Sequence, residues 1–292
     1  MIRLFLVLFC LVLGGCGGDS ATKPTLLWNA ERYTDDAMQA YADEDWVKAQ
    51  RLFNRALSLY QGIDDRLAVL ACHINLVEVA LAVHDNQVAD QHLSLAAEIV
   101  KTDALKNYQP RITLLYALVA MQQKQMTKAA GFLQEILPAF KEEEAVVVPD
   151  AIQLVAIASR TEIAFVQKQN ESLWTLRYAN ILKKSENKNA DLEARLLRFQ
   201  SRLFFQQGDF DKAGAYLQQA LLIYKNNLSR TGIAGTLLEL GEIHEKQSDW
   251  EQAISYFNRS LAVFRSLGNT KKVSKVGKIL VKVESELAKS DK

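Results

Sequence analysis

The sequence predicts an all-α protein made of about six helical hairpins and a closing helix. Three observations lead to this fold class: a segment recurs about every 40 residues, apolar residues in each copy follow helical spacing, and a polar turn precedes most copies. Five copies align without gaps, and each opens its apolar face on a small residue. These residues are Ala49, Ala89, Ala129, Ala213 and Ala253.

Each copy has the apolar pattern of one helix face. An apolar residue follows the alanine after four positions, a small or apolar residue after seven, and an aromatic or apolar residue after eleven. These offsets fall on the same side of an α-helix. In chain order they are Phe53, Leu93, Leu133, Leu217 and Phe257, then Ala56, Ala96, Ile136, Ala220 and Ser260, then Tyr60, Val100, Phe140, Tyr224 and Phe264. Another apolar-periodic helix precedes each turn, so the predicted unit is helix, short turn, helix.

The interval between Ala129 and Ala213 leaves room for one further, degenerate unit. Trp174 takes its small-residue position, and Tyr178 and Ile181 follow at helical spacing. The six units are predicted to start near residues 30, 70, 110, 155, 194 and 234. The segment Glu142–Pro149 between the third and fourth units is predicted to be a longer surface loop, with a docking loop as the alternative.

A last helix from about Thr270 to Ala288 is expected to cover the sixth unit. Its apolar face contains Val273, Val276, Leu280, Val283 and Leu287, and a second face contains Lys271, Lys275, Lys278 and Lys282. Capping of the array is the first interpretation, because terminal repeats need a polar outer side. Contact of the lysines with anionic lipid or cell-wall polymer is the alternative. The predicted domains are therefore a repeat array over 28–269 and a capping helix with a tail over 270–292.

The sixth unit shows a family resemblance. Its pattern is Leu237-x-x-Leu240-Gly241-x-x-His244, then Ala253-x-x-x-Phe257. It resembles the tetratricopeptide repeat, with Leu in place of that motif's Trp and His in place of its Tyr, and the resemblance extends over 30–268. The family implies a right-handed superhelical array whose first helices line a groove for partners. The period of 40 exceeds the usual 34 and the closing Pro is absent, which implies longer helices, as in long-repeat relatives that bind peptides or regulators.

The resemblance places a set of groove-lining residues on the first helices. They are Met38, Tyr41, Ile74, Leu81, Leu114, Leu118, Met121, Arg195, Arg198, Arg202 and Phe205, with Glu242 and Glu245 in the sixth unit. The three arginines also share a helix face by their i, i+3, i+7 spacing alone. They are expected to hold a carboxylate of an amphipathic helix or extended peptide whose apolar side contacts the first three units. In the alternative, the arginines pair with Glu193, Glu239 or Glu242, and the apolar positions pack between repeats.

The N-terminus has the pattern of a bacterial lipoprotein signal. Arg3 precedes ten apolar residues, too few to cross a bilayer, and Leu13-Gly14-Gly15-Cys16 follows. This sequence resembles a lipobox, so we expect acylation of Cys16, and Gly17 is similar to signals sorted to the outer membrane. An ordinary signal peptide that ends near a cysteine is the alternative. The predicted segments are a signal peptide over 1–15 and a lipidated cysteine with a flexible tether over 16–27.

Composition argues against several classes of function. The 35 basic and 34 acidic residues nearly balance, so nucleic acid is not an expected partner. No two of the four histidines have the spacing of metal ligands on a helix, and no phosphate loop or nucleophile elbow is present. We therefore predict no catalytic residues, no metal and no cofactor, and we expect Cys72 to be a small buried residue.

Together these features predict a lipid-anchored scaffold or adaptor of the cell envelope. It is expected to lie on the outer membrane facing the periplasm and to bind protein or peptide partners through its repeats. Its task would be assembly or regulation of a periplasmic or outer-membrane complex. A regulatory adaptor for an envelope hydrolase or protease, and a carrier of a small ligand, are the alternatives.

Overall fold

The computed structural model describes residues 24–137, 150–186 and 189–290, and within these ranges the chain forms α-helices and one short 3₁₀ helix but no strand. The prediction of an all-α helical-repeat fold is confirmed. The signal peptide, Cys16, most of the tether, Phe140 and the segment before Asp150 lie outside the described residues. The helices are α1 Thr25–Ala42, α2 Trp46–Gly62, α3 Arg66–Val83, α4 Asn86–Val100, α5 Gln109–Gln122, α6 Met126–Ile136, α7 Asp150–Gln167, α8 Glu171–Lys184, α9 Ala190–Gln206, α10 Phe210–Asn226, α11 Arg230–Lys246, α12 Trp250–Ser266 and α13 Thr270–Ser290, with the 3₁₀ helix at Asp103–Tyr108.

Successive helices pack as hairpins. α1 packs on α2, α3 on α4, α5 on α6, α9 on α10 and α11 on α12. α13 packs on α12 and buries Val276 and Val283 fully, which confirms the predicted capping helix. α1 begins at Thr25, inside the segment predicted as tether, because Pro24 has a fixed φ and its carbonyl accepts a hydrogen bond from the Trp28 N–H (3.1 Å).

The turn inside each hairpin repeats with the same period as the helices. A residue with positive φ ends the first helix of a unit at Glu44, His84, Lys124, Lys168, Gly208 and Ser248. The N–H of the following residue donates to a carbonyl five residues earlier, as in Asp45 to Ala40 (2.8 Å) and Asp249 to His244 (2.9 Å). The Asp45 side chain then accepts from the Lys48 N–H and so caps the second helix. The polar turns of the sequence thus terminate one helix and start the next.

The small-residue positions let the two helices of a hairpin approach closely. All five alanines that define the period are fully buried. On the facing helix of the α11/α12 hairpin, a Cβ atom at Gly241 would lie 2.5 Å from the Phe257 ring. Between successive hairpins, a Cβ atom at Gly232 of α11 would lie 2.3 Å from the Tyr224 ring of α10. The glycine of the motif is therefore required by the aromatic residue four positions after the alanine.

The fourth unit departs from this pattern as the sequence predicts. Trp174 is only half-buried, and the next residue, Thr175, is buried instead, because an indole is too large for a position that alanine fills elsewhere. Tyr178 is fully buried, and its hydroxyl donates to the Leu192 carbonyl (2.9 Å). Trp174 remains near the surface, where the Arg177 guanidinium lies 4.8 Å from its ring.

The chain divides into two compact units, which we call the N-terminal unit (to Ile163) and the C-terminal unit (from Ala164). In the N-terminal unit, α3 is the one described helix that is long and apolar enough to cross a membrane by length and composition. It packs against α2, α4 and α5, and 61% of it is buried inside the protein. This burial is typical of a core helix.

Candidate functional site: a charged face of the C-terminal unit

The predicted arginine stripe lies on α9 and meets a glutamate of α11. Arg198 donates from Nε to Glu239 Oε2 (2.8 Å) and from Nη2 to Oε1 (2.9 Å). Arg202 donates from Nε (3.1 Å) and Nη2 (2.8 Å) to the same Oε1. Of the two interpretations of the stripe, ion pairing between neighbouring first helices is therefore confirmed for Arg198 and Arg202, with Glu239 as the partner.

Local sequence explains why these groups meet. Gly235 lies one turn before Glu239, and a Cβ atom there would come within 3.2 Å of the Arg198 guanidinium. Burial by itself raises the pKa of the Glu239 carboxyl, but Arg198 and Arg202 act more strongly together and lower it to about 2. Glu239 is therefore ionised throughout the neutral range and joins α9 to α11.

The capping helix α13 adds lysines to the same face. Lys282 Nζ lies 2.9 Å from Glu245 Oε1. Burial raises the pKa of Glu242, and the Glu239 carboxylate raises it further, while Lys275 acts in the opposite direction. Burial lowers the pKa of Lys272, and the nearby cations Lys275 and Arg198 lower it further, while Glu239 and Glu242 act in the opposite direction. The cations of α9 and α13 therefore lie close to one another and share the two glutamates of α11.

We call this surface the charged face; it comprises Arg195, Arg198, Arg202, Glu239, Glu242, Glu245, Lys272, Lys275 and Lys282. It thus has six basic and three acidic groups. Among the residues that the structure describes, Arg195, Lys272 and Lys275 form no ion pair. A shallow cleft of about 50 Å³ lies at the centre, lined in part by Arg202, Phe205 and Glu242. The face therefore has a surplus of positive charge around a half-apolar depression.

The apolar positions predicted for the groove differ from the arginines. Five of them are buried in the N-terminal unit: Tyr41, Ile74, Leu81, Leu114 and Leu118. Met38 and Met121 are half-buried, and Phe205 packs edge-on against Phe210 (5.5 Å between ring centroids). For the five buried residues the structure favours packing between repeats over an open apolar groove. The long first helices are apolar on several sides, so they must be covered.

The N-terminal unit contains a buried ion pair that the sequence analysis did not predict. Arg111 of α5 donates from Nη2 to Glu78 Oε1 of α3, and both residues are buried. Burial lowers the pKa of Arg111, but the guanidinium stays charged at neutral pH because its ordinary pKa is above 12. A signal was present in the sequence: Glu78 is the only carboxylate between Leu67 and Val83, and a buried carboxylate needs a partner.

Two histidines with no recognisable spacing also meet. His73 of α3 and His92 of α4 lie with their Nδ1 atoms 2.9 Å apart. Burial, and secondarily His92, lowers the pKa of His73 to about 4. No cluster of three or more His, Cys, Asp or Glu side chains suited to a metal ion occurs in the described part of the chain.

A third histidine belongs to a ring stack that recurs with the repeat. His244 stacks on Tyr256 with 5.2 Å between ring centroids, and Phe204 stacks on Tyr216 at 5.4 Å one period earlier.

Comparison with known families agrees with this architecture. Residues 236–269 and residues 199–227 match two family models that are both described as "Tetratricopeptide repeat". The first segment contains most of α11 and all of α12, and the second contains the C-terminal half of α9 and all of α10. The C-terminal unit therefore contains tetratricopeptide repeats, and this repeat is a scaffold for interactions between proteins. No curated protein matches the chain.

Solved structures with a similar fold include two Rap proteins and a protein with a repeat sensor. The apo form of RapI has a TM-score of 0.63 at 14% identity, and the match covers 86% of this chain and 88% of RapI. A Rap protein complexed with competence and sporulation factor has a TM-score of 0.58 at 11% identity, with 91% and 78% covered. A signal-transduction ATPase with a tetratricopeptide repeat sensor, from Pyrococcus horikoshii, has a TM-score of 0.57 at 16% identity; the match covers 85% of this chain but spans only 37% of the ATPase. At these identities the likeness concerns the fold alone.

Proposed function

We propose that this protein is a lipid-anchored adaptor of the cell envelope that binds an acidic segment of a protein partner on the charged face. The observation that carries the proposal is the surplus of positive charge on α9 and α13, where Arg195, Lys272 and Lys275 form no ion pair at contact distance among the described residues. The adaptor would support assembly or regulation of a periplasmic or outer-membrane complex.

The ion pairs of the charged face prepare it for binding. Glu239 holds Arg198 and Arg202 in place, so these side chains lose little freedom when a partner arrives. Lys272 lies in a half-buried position near other cations, and an anionic group would relieve that repulsion. Carboxylates of an acidic peptide supply such groups, and their complementary charge would also speed the encounter.

Structural relatives support the proposal by analogy only. The Rap protein of similar fold was solved in complex with competence and sporulation factor, and the repeats of the ATPase are described as a sensor. Repeat arrays of this kind thus present surfaces to regulatory partners, but the fold does not determine which partner is bound.

The anchor part of the proposal depends on the first 16 residues. Their apolar run and Leu13-Gly14-Gly15-Cys16 sequence favour acylation of Cys16 and attachment to the outer membrane. Seven residues lie between Cys16 and Pro24, the N-cap residue of α1, and they reach at most ~26–29 Å, so the repeats would work close to the membrane surface.

Charge reversal tests the binding face. In the double variant Arg195→Glu, Lys275→Glu, we expect crosslinking in intact cells to recover the partner at least tenfold less, since two cationic contacts become repulsive. The matched control is Lys225→Glu on the outer helix α10, which changes an exposed charge of the same unit. Mass spectrometry of the crosslinked proteins reports the partner. Equal recovery from the double variant and the control would reject the charged face.

A second experiment tests the anchor. The variant Cys16→Ser lacks the thiol that acylation needs, so it should leave the membrane fraction while the unaltered chain stays in it. If Cys16→Ser still sediments with membranes, another part of the chain holds the protein there.

The crosslinking experiment also distinguishes a scaffold from a regulatory adaptor. The regulatory alternative requires that the crosslinked partner is a hydrolase or a protease.

A further inference from the structure

The first turn of α1 presents apolar side chains to solvent. Leu26 and Trp28 are 52% and 50% exposed, whereas Leu27 between them packs on the core of the N-terminal unit. A half-exposed tryptophan is unusual, because burial of this large aromatic side chain contributes more to stability than burial of any other side chain. The core of α1 and α2 therefore leaves this residue available for another contact.

One arginine lies against the tryptophan, and a second lies against the neighbouring Tyr33. The Arg32 guanidinium lies 4.9 Å from the Trp28 ring and 5.4 Å from the Tyr33 ring. Arg55 of α2 lies 5.6 Å from the same Tyr33 ring. Tryptophan and tyrosine with basic neighbours form the composition that proteins place at the boundary between lipid headgroups and acyl chains. Glu31 adjoins Arg32, and Asp35 and Asp36 follow about 10 Å beyond Trp28 along the helix, so the basic character is confined to Arg32 and to Arg55 of α2.

We propose that this turn docks on the bilayer surface and orients the repeat array there. The surface, called the membrane-facing turn, comprises Leu26, Trp28, Arg32, Tyr33 and Arg55. The inference rests on the proposed lipid anchor: only seven residues separate Cys16 from Pro24, so the Cα atoms of these two residues lie at most ~26–29 Å apart. The start of α1 is the part of the described chain nearest to the anchor, so a lipid surface is always within its reach.

The tether also makes a weak contact effective. One tryptophan and one leucine bury too little apolar surface to hold a free protein of this size on a membrane. Once the acyl chains fix the protein, the contact becomes intramolecular and forms at a high effective concentration. The membrane-facing turn therefore sets the orientation of the repeat array on the bilayer, whereas the acyl chains attach the protein to it. Anionic headgroups near Arg32 and Arg55 would strengthen the contact of the turn with the bilayer.

The molecule offers a matched control. Trp174 in the C-terminal unit is also partly exposed and stacked with an arginine, since Arg177 lies 4.8 Å from its ring. It shares the local chemistry of Trp28 but lies far along the chain from the anchor. A general affinity of surface tryptophan for lipid would engage both residues, whereas the proposed docking engages only Trp28.

The experiment uses vesicles with the anchor supplied chemically. The chain from Cys16 onward, which contains every described residue, is coupled through Cys16 to maleimide lipid in vesicles with an anionic lipid and a brominated phospholipid. Cys72 is buried and does not compete for the coupling. Bromine quenches tryptophan at the bilayer boundary. Because the chain has four tryptophans, we expect a loss of up to one fourth of the emission, which Trp28→Phe abolishes and Trp174→Phe preserves.

Two results would overturn the proposal: no quenching of the coupled chain, or quenching that Trp28→Phe leaves unchanged. The variants exchange exposed aromatic residues, so circular dichroism is expected to show the same helix content in each. Because coupling does not depend on acylation in cells, the outcome is separate from that of the Cys16→Ser fractionation. Failure of the anchor and failure of the membrane-facing turn can therefore be told apart.

Discussion

The two units join their successive first helices with the same kind of ion pair but in different surroundings. In the N-terminal unit, the side chains of Glu78 and Arg111 are 3% and 11% exposed. In the C-terminal unit, Glu239 is 15% exposed and its partners Arg198 and Arg202 are 21% and 31% exposed. The first pair belongs to the interior of its unit, and the second belongs to a surface.

The difference in exposure between the two ion pairs arises from the first helices of the hairpins and not from the second helices. Apart from α8 with its Trp174, the second helices of both units have fully buried alanines at the same repeat positions. α3 and α5 are apolar on most sides and are buried accordingly, whereas α9 and α11 keep one charged side. One repeat period therefore accommodates a unit with buried first helices and a unit whose first helices keep a charged side, and the difference depends on a few residues of the first helix.

Removal of one member of the buried pair should have the largest effect. Glu78→Gln leaves the Arg111 guanidinium buried without its carboxylate, which we expect to lower the free energy of unfolding by about 3–5 kcal/mol. Urea unfolding followed by circular dichroism measures it. The double variant Glu78→Met, Arg111→Leu removes both charges and should recover most of the loss. A smaller effect for Glu78→Gln than for Glu239→Gln would contradict the comparison of the two pairs.

A smaller effect is expected from the motif glycine of the C-terminal unit. In Gly241→Ala the new Cβ would lie 2.5 Å from the Phe257 ring, so the hairpin must separate, at a cost of about 1–3 kcal/mol. Gly214→Ala on α10 is the control, because nothing lies within 4 Å of its new Cβ. There alanine should stabilise the helix by about 0.5–1 kcal/mol. Thermal unfolding of both variants shows whether each substitution raises or lowers stability. If Gly214→Ala were also destabilised, the effect of Gly241→Ala could not be assigned to the contact with Phe257.

The sequence was sufficient for the periodic part of the fold. Ala49 and its counterparts, the aromatic residues after them and the polar turns all repeat, so each copy confirms the others and the helix bounds follow. The degenerate unit was also predictable, because Trp174 occupies a position that alanine fills elsewhere. The cap followed from the spacing of Val276 and Val283.

Contacts between different units were harder to predict. Glu78 with Arg111 and His73 with His92 do not recur in the other repeats, so periodicity gives no information about them. The partners of Arg198 were foreseen as a choice among Glu193, Glu239 and Glu242, and only the rotation of α11 against α9 selects Glu239. Burial of Leu114 likewise depends on how closely neighbouring first helices approach.

The smallest expected effect is a difference in how the stability of the two units depends on pH. His73 has a pKa of about 4 in the folded state and about 6.5 when unfolded, so between these values the unfolded chain binds more protons and stability falls as pH falls. Between pH 7 and pH 5.5 we expect a loss of about 1 kcal/mol in the N-terminal unit. Glu239 has a folded pKa of about 2 against 4.5, so its contribution is complete above pH 4.5 and is lost only as pH falls toward 2.

Hydrogen exchange at pH 7 and pH 5.5, corrected for intrinsic rates, measures this difference helix by helix. Amides of α3 and α4 should lose protection at pH 5.5, while those of α9 and α11 should keep it. His73→Gln removes the titrating group and should leave α3 with the same protection at both pH values. If α9 opens first on acidification, or if His73→Gln keeps the full pH dependence, the acid sensitivity of the N-terminal unit comes from another group.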